Sequence, residues 1–174
     1  MFKNNIFKFS KAAEDGFSKY RDLIPNVHHM HFSASGMRIA GTSFEEAING
    51  WAVISMPDGT DSNALFSGIW PDDMTDSEVA LTIYWIPKGA GDAYTHVYLR
   101  GAAVGEDKDT MIKNPSDLLA CSGADIIHQQ TYTIQNQGYK PGYAFAFGIS
   151  RAGGAVSDTL AADLSLVGAM ITYR

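Results

Sequence analysis

The stretch that determines the fold is Glu78-Val79-Ala80-Leu81-Thr82-Ile83-Tyr84-Trp85-Ile86. Large apolar side chains recur here at every second position, and a period of two residues is typical of a β-strand with one face in a core. We therefore predict a strand with one buried face. The side chains on that face are Val79, Leu81, Ile83 and Trp85.

The same alternation recurs along most of the chain after Met37. In residues 143–149, large side chains alternate with alanine and glycine, which predicts a core face backed by a face of small residues. Turn residues separate further predicted strands at residues 51–56, 65–70, 94–103, 126–135 and 164–173, and residues 44–48 fit either a strand or a short helix. About seven strands with no helices between them predict an all-β protein, an antiparallel sandwich or barrel.

Residues 1–25 form a separate arm in this prediction, and the β-domain spans residues 26–174. Apolar residues from Phe9 to Ile24 recur at steps of three or four, which predicts an amphipathic helix that docks on its own domain or on a neighbouring subunit. Residues 1–24 hold five basic and three acidic residues, so the rest of the chain is strongly acidic. This asymmetry fits contact with an acidic neighbour and equally a solvated end. The expected interface residues are Phe9, Phe17, Tyr20, Lys8, Lys11 and Lys19.

Composition excludes several classes of protein. The chain has 174 residues, of which 45% are hydrophobic and 18% charged, which fits one folded domain and not a disordered chain. A net charge of -6 gives no electrostatic support for nucleic-acid binding. Apolar runs are too short for a membrane-spanning helix or a secretory signal peptide, and the lone Cys121 fits folding inside a cell.

Several short motifs follow one another from residue 51 to residue 174. In chain order they are Trp70-Pro71-Asp72-Asp73-Met74, Gly89-Ala90-Gly91-Asp92, Lys140-Pro141-Gly142, Arg151 followed by Asp158-Thr159-Leu160, and a last strand that ends in Tyr173. This order resembles the jelly-roll β-sandwich domains of tailed-phage virion proteins, which occur in head decoration (cement) proteins, head fibres and tail-fibre tips. Ala93 departs from the family pattern, which often has an aromatic residue there.

The resemblance implies a jelly-roll sandwich and a non-enzymatic structural role in a virion. Because the chain is short, we expect a capsid decoration subunit, made and folded in the host cytoplasm and then bound to the phage major capsid protein. We expect a homotrimer with no cofactor. The alternative is a receptor-binding module at a fibre or spike tip, which recognises a host-surface glycan.

Two groups of side chains are candidates for binding a metal ion. His29 and His31 would point to the same side of an extended strand, where a threefold axis could gather them, although surface histidines are the simpler interpretation. Aspartates in two neighbouring turns could hold Ca²⁺, but aspartate is also a preferred turn residue. These aspartates are Asp58, Asp61, Asp72, Asp73 and Asp76.

The remaining candidates concern architecture and surface recognition. We expect Arg151 to pair with Asp158 or Asp163 and to fix the crossing before the last strand. Cys121 matches no nucleophile signature, and no catalytic motif occurs, although a spatial pair of carboxylates leaves no trace in sequence. Tyrosines on an outer face would suit sugar stacking or an interface, and core packing is the alternative for each. The tyrosines in question are Tyr84, Tyr94, Tyr98 and Tyr132.

Overall fold

The chain folds into two antiparallel β-sheets that enclose one core. The computed structural model describes residues 27–74, 78–102, 111–113, 116–135 and 140–174. The strands are β1 (His28–Ser33), β2 (Arg38–Gly41), β3 (Phe44–Ile48), β4 (Trp51–Met56), β5 (Asp61–Ile69), β6 (Glu78–Pro87), β7 (Ala90–Ala102), β8 (Met111–Lys113), β9 (Ser116–Ser122), β10 (His128–Gln135), β11 (Ala144–Ala152) and β12 (Leu164–Tyr173). A single 3-10 turn, Ala34–Gly36, follows β1 in the described chain.

Within the described residues, each sheet has six strands. In sheet A the order is β10-β6-β12-β4-β3, and β1 also pairs with β12. In sheet B the order is β2-β5-β11-β7-β8, and β9 also pairs with β7. All of these pairs are antiparallel, which confirms the predicted all-β antiparallel sandwich.

The core lies between the sheets, as the alternating pattern of β6 predicts. The four predicted inner side chains of that strand are at most 2% exposed. Opposite them, Phe145, Phe147 and Ile149 of β11 are equally buried, so both sheets contribute large side chains to one cluster. The small residues of β11 consequently lie on the outer face of sheet B.

Some predicted elements need correction. Residues 44–48, which fitted either a helix or a strand, form β3, because Asn49 and Gly50 adopt positive φ angles and close a two-residue hairpin onto β4. The short strands β1, β2, β8 and β9 were not predicted. The predicted arm helix lies outside the described residues. Within the part of the chain that the structure describes, no helix is long and apolar enough to cross a membrane.

Arg151 closes one end of the sandwich. Its guanidinium is 0% exposed and makes a bidentate pair with Asp158, at 2.9 Å from Nε to Oδ2 and 2.8 Å from Nη2 to Oδ1. The other N–H groups donate to the main-chain oxygens of Met56, Ala162 and Leu160 at 3.0, 2.7 and 2.6 Å. One side chain therefore joins the end of β4, the end of β11 and the segment that leads into β12.

Asp163, the other acid considered for Arg151, lies elsewhere. Its carboxylate accepts a hydrogen bond from the Asp58 amide at 3.3 Å and lies 3.7 Å from the Lys88 Nζ. Thr159 adds to the closure at the Arg151 end, because its Oγ1 accepts from the Asp92 amide at 2.9 Å. The Asp-Thr-Leu motif and the Gly-Asp turn, which are far apart in sequence, thus form one closing unit.

Candidate functional site

A trough crosses the outer face of sheet B, and small residues of β11 form its floor. Ala146 and Gly148 point outward there, between the larger side chains of the neighbouring strands. A Cβ atom on Gly148 would overlap the ring of Tyr98, so the outer end of the tyrosine ring lies directly over the glycine. Only glycine permits so close an approach. The Tyr98 ring is thereby laid along the floor of the trough.

The walls of the trough combine an aromatic ring with basic and polar groups. Leu65 and Ser67 of β5 line the cavity together with Arg38 of the edge strand β2. On the opposite side, the Arg100 guanidinium carbon lies 5.6 Å from the centroid of the Tyr98 ring, which is within range of a cation–π contact. The cavity has a volume of about 700 Å³, which places it in the usual size range of small-molecule sites.

Strand register places Tyr98 and Arg38 on one line across the sheet. Tyr98 is opposite Gly148, Gly148 is opposite Leu65, and Leu65 is opposite Arg38. Neighbouring strands are about 4.8 Å apart, so three steps separate the two Cα atoms by about 14 Å. Both side chains are long, and Tyr98 leans toward Arg38 over Gly148. The space between them therefore has a ring at one end and a guanidinium at the other.

The phenol of Tyr98 is neutral at ordinary pH. Partial burial raises the pKa of Tyr98 above its usual value, and the positive charge of Arg100 offsets only part of that rise. The hydroxyl can therefore donate a hydrogen bond as well as accept one. A flat apolar ring beside hydroxyl and guanidinium donors is suited to a ligand with one apolar face and many oxygen atoms.

A second, smaller hollow of about 350 Å³ lies on the outer face of sheet A. It opens where β12 changes partner from β4 to β1, at the irregularity between Leu166 and Gly168. Trp51, which is 51% exposed, and Tyr84 are the large rings beside it. Among the described residues, no Asp, Glu, Lys or Arg lines this hollow, so it offers less for orienting a polar ligand.

The two histidines considered for metal binding do share one face of β1. Their rings are 6.1 Å apart, and the His29 Nδ1 lies 3.0 Å from the Thr172 Oγ1. Within the described ranges, no group of three or more His, Cys, Asp or Glu side chains comes together as a metal site. The symmetric metal site remains a prediction, because it requires several subunits.

The turn aspartates do not converge. Asp58 lies 3.4 Å from the Arg151 Nη2, whereas Asp73 lies 3.3 Å from the His28 Nδ1 and accepts from the Tyr173 hydroxyl at 3.3 Å. Asp61 and Asp72 are exposed, and Asp76 lies outside the described residues. The described aspartates thus have separate positions and separate partners.

Three of the four tyrosines face outward. Tyr132 does not: its register opposite Leu81 turns it inward, and it is 8% exposed within the core cluster, so core packing, the alternative given for each tyrosine, applies to it. Tyr94 packs edge-on against His96, at 4.8 Å between ring centroids. Cys121 is buried, and burial raises the pKa of its thiol, which does not favour a nucleophile.

Sequence reasoning identified Tyr98 as one candidate among several but missed both arginines of the trough. Arg38 and Arg100 come from strands that are distant in sequence, and only the pairing order of sheet B brings them to one cavity. The sequence does contain one signal for the trough, which is the row of small residues in β11. Small residues on the outer face of a strand leave a depression where the neighbouring strands carry large side chains, but no such depression was predicted from the sequence.

Comparison with known proteins shows the fold. No protein-family model and no curated protein matches the sequence. Among solved structures, a family 35 carbohydrate binding module from Clostridium thermocellum has a TM-score of 0.60 at 10% identity, over 83% of this chain and 97% of that one. The C-terminal CBM6 of LamC, a marine laminarinase from Zobellia galactanivorans, has a TM-score of 0.55 at 13% identity, over 83% and 99%.

The same fold also occurs inside larger enzymes. An isomalto-dextranase of Arthrobacter globiformis T6 has a TM-score of 0.56 at 12% identity, and the match covers 85% of this chain but 23% of the enzyme. The chain is therefore a jelly-roll β-sandwich with the architecture of carbohydrate-binding modules. At these identities the likeness concerns the fold, and function has to be argued from the trough.

Proposed function

We propose that the protein is a glycan-binding module and that the trough on sheet B is its binding site. The observation that supports this most directly is the Tyr98 ring, which extends over Gly148 and lines a cavity together with Arg38 and Ser67. A pyranose has apolar C–H faces and a rim of hydroxyl groups. It would stack on the ring and donate and accept hydrogen bonds at the rim.

The resemblance to tailed-phage virion domains supplies a biological setting for this binding. A small glycan-binding sandwich suits the distal end of a fibre or spike, where a virion meets the host surface. Capsid decoration, a homotrimer and contact with the major capsid protein stay predictions from the sequence. We place the glycan-binding alternative ahead of them, because it uses a described cavity and the architecture of the structural neighbours.

Binding to a glycan array, followed by titration calorimetry with the best oligosaccharide, tests the proposal. Tyr98→Ala should weaken binding by about 2 kcal/mol, or about thirtyfold in Kd, as expected for a central aromatic contact. Tyr84→Ala is the matched control, because it removes an outward tyrosine from the opposite sheet. It should leave Kd unchanged.

The reverse pattern, in which only Tyr84→Ala weakens binding, would move the site to the hollow beside Trp51. Failure of the wild-type protein to bind any saccharide on the array would contradict a glycan-binding function. Thermal melting of both variants separates loss of binding from loss of folding. Release of reducing ends from the bound oligosaccharide would identify a hydrolase instead of a binding module.

A further inference from the structure

We propose that the trough selects acidic saccharides, with Arg38 binding a carboxylate or sulfate group on a sugar whose ring stacks on Tyr98. This inference rests on the proposed glycan-binding function and adds the chemical class of the ligand. It assigns the role of anion receptor to an edge-strand arginine.

Arg38 is positioned to bind an anion from solution. It is exposed on β2, and among the described residues its guanidinium has no hydrogen-bonded or ion-paired partner. Its planar fork of N–H groups matches a carboxylate or sulfate, which it binds through two parallel hydrogen bonds. Strand register places Arg38 at one end of the Tyr98 line, where it lines the trough.

The charge around the trough favours an anion there. Its charged lining residues are Arg38 and Arg100, and no Asp or Glu of the described chain lines it. The protein as a whole carries a net charge of -6, so an acidic polysaccharide gains nothing from the average surface. Binding of such a polymer therefore requires a local basic site, and the trough provides one.

The spacing brings both recognition groups within reach of one sugar unit that lies on the Tyr98 ring. About 14 Å separates the Cα atoms of Tyr98 and Arg38 along the register line, and Leu65 occupies the position between Gly148 and Arg38, so the sugar would lie above this line. A pyranose on the ring would present an exocyclic substituent toward the guanidinium. Ser67 lies in the same cavity and offers a hydroxyl for the sugar rim.

The test compares charged saccharides with the same molecules after their charge is removed. The probes are oligogalacturonate and its methyl ester, alginate oligomers and their methyl esters, and carrageenan oligosaccharides before and after desulfation. We expect at least one charged probe to bind at least tenfold more tightly than its neutral counterpart. Its affinity should also fall as salt is raised, because the exposed charge pair is screened.

Variants separate charge recognition from stacking. Arg38→Gln should reduce affinity for the charged probe about tenfold and leave the neutral probe unchanged, and Arg38→Lys should restore part of the loss. Arg174→Gln, the same change of charge at an exposed residue of the other sheet, is the control and should have no effect. Comparison of the affinities for the carboxylated and the sulfated probes identifies which of the two anions Arg38 binds.

Two results would overturn the inference in different ways. If neutral and charged probes bind equally, and Arg38→Gln changes neither while Tyr98→Ala weakens both, the glycan function stands and the acidic specificity fails. If no probe binds and the glycan array is also negative, the proposed function itself fails.

Discussion

Arg151 and Arg38 belong to the same sheet, yet the fold treats them in opposite ways. Arg151 is 0% exposed, and oxygen atoms from two carboxylates and three main-chain carbonyls surround its guanidinium. Arg38 lies on the edge strand β2 with its guanidinium in solvent. The first arginine completes the architecture and has no capacity left for a ligand, whereas the second has its whole donor set available.

This contrast separates the residues that stabilise the fold from the residues that are proposed to bind a ligand. The Arg151 and Asp-Thr-Leu elements of the sequence resemblance close the sandwich, and they line neither of the two hollows described above. The presence of these motifs in a sequence therefore indicates the fold and not a binding site. Recognition depends on Tyr98 and Arg38, which lie outside those motifs, so the resemblance and the binding site draw on different residues.

The largest expected effect on the free energy of unfolding comes from replacing the buried Arg151. Arg151→Met leaves the Asp158 carboxylate, which is 0% exposed, without its cation, and three carbonyls without a donor. Breaking a buried ion pair in this way should reduce the free energy of unfolding by about 3–5 kcal/mol. Urea denaturation followed by tryptophan fluorescence measures the change.

Arg38→Met is the matched control and should change stability by no more than about 0.5 kcal/mol, as is usual for surface substitutions. If Arg151→Met proves too unstable to purify, Arg151→Lys keeps the charge with fewer donors and should lose an intermediate amount, about 1–3 kcal/mol. Equal stability of the Arg151 and Arg38 variants would remove the contrast between the two sites.

An intermediate effect is expected at the floor of the trough. Gly148→Ala places a methyl group against the Tyr98 ring, which has to move off the sheet. Overpacking of this kind should cost about 1–3 kcal/mol in stability. Saccharide affinity should also fall toward that of Tyr98→Ala, since the ring loses its position. Urea denaturation of the Gly148→Ala variant measures the change in stability, and titration calorimetry measures the change in saccharide affinity.

Non-additivity makes this prediction specific. In a Tyr98→Ala background, Gly148→Ala should have little further effect on affinity, because both changes act through the same ring. Gly154→Ala is the control, since a Cβ there meets no atom closer than 3.6 Å. Full additivity of the Tyr98 and Gly148 changes would show that the glycine does not act by placing the tyrosine.

The long strands could be predicted from the sequence because their patterns are strong. The bounds of β4 and β12 are those expected, and β6 differs by one residue at its C-terminal end, since large apolar side chains mark their inner faces. The edge strand β2 is exposed at all four positions, so it has no alternation to detect. The hairpin signal Asn49-Gly50 was present and would have assigned β3 as a strand.

The site was less predictable, because it depends on which strands are neighbours. The pairing order β2-β5-β11-β7 brings Arg38 and Tyr98 onto one line, although 60 positions separate them in the chain. A single sequence gives strand positions but not the order of strands in a sheet. The inward turn of Tyr132 has the same origin, since its register with β6 decides its face.

The smallest effect on stability is expected at Lys88. Its ion pair is partly exposed, whereas Arg151 is fully buried and Arg38 is exposed. The Lys88 Nζ lies 2.8 Å from the Glu46 Oε1, and both side chains are partly exposed. The hydrogen bond to Glu46 raises the pKa of Lys88 despite partial burial. Burial is the largest single influence on Glu46 and would raise its pKa, but the hydrogen bond and charge of Lys88 together with hydrogen bonds from Ser55 and Ser165 outweigh it, and the pKa of Glu46 is lowered.

Because of solvent screening, Lys88→Met should reduce stability by only about 0.5 kcal/mol at neutral pH. A lowered carboxyl pKa contributes stability above the unfolded value of about 4.3, which is lost as pH falls through the folded pKa. The raised pKa of the Lys88 amine contributes stability below the unfolded value of about 10.4, and this contribution is lost as pH rises further. The difference in the free energy of unfolding between wild type and variant should therefore be constant from about pH 5 to 10 and shrink as pH falls below about 4.3. If urea denaturation shows the same difference at all acidic pH values, the aliphatic stem of Lys88, and not its charge, stabilises this edge.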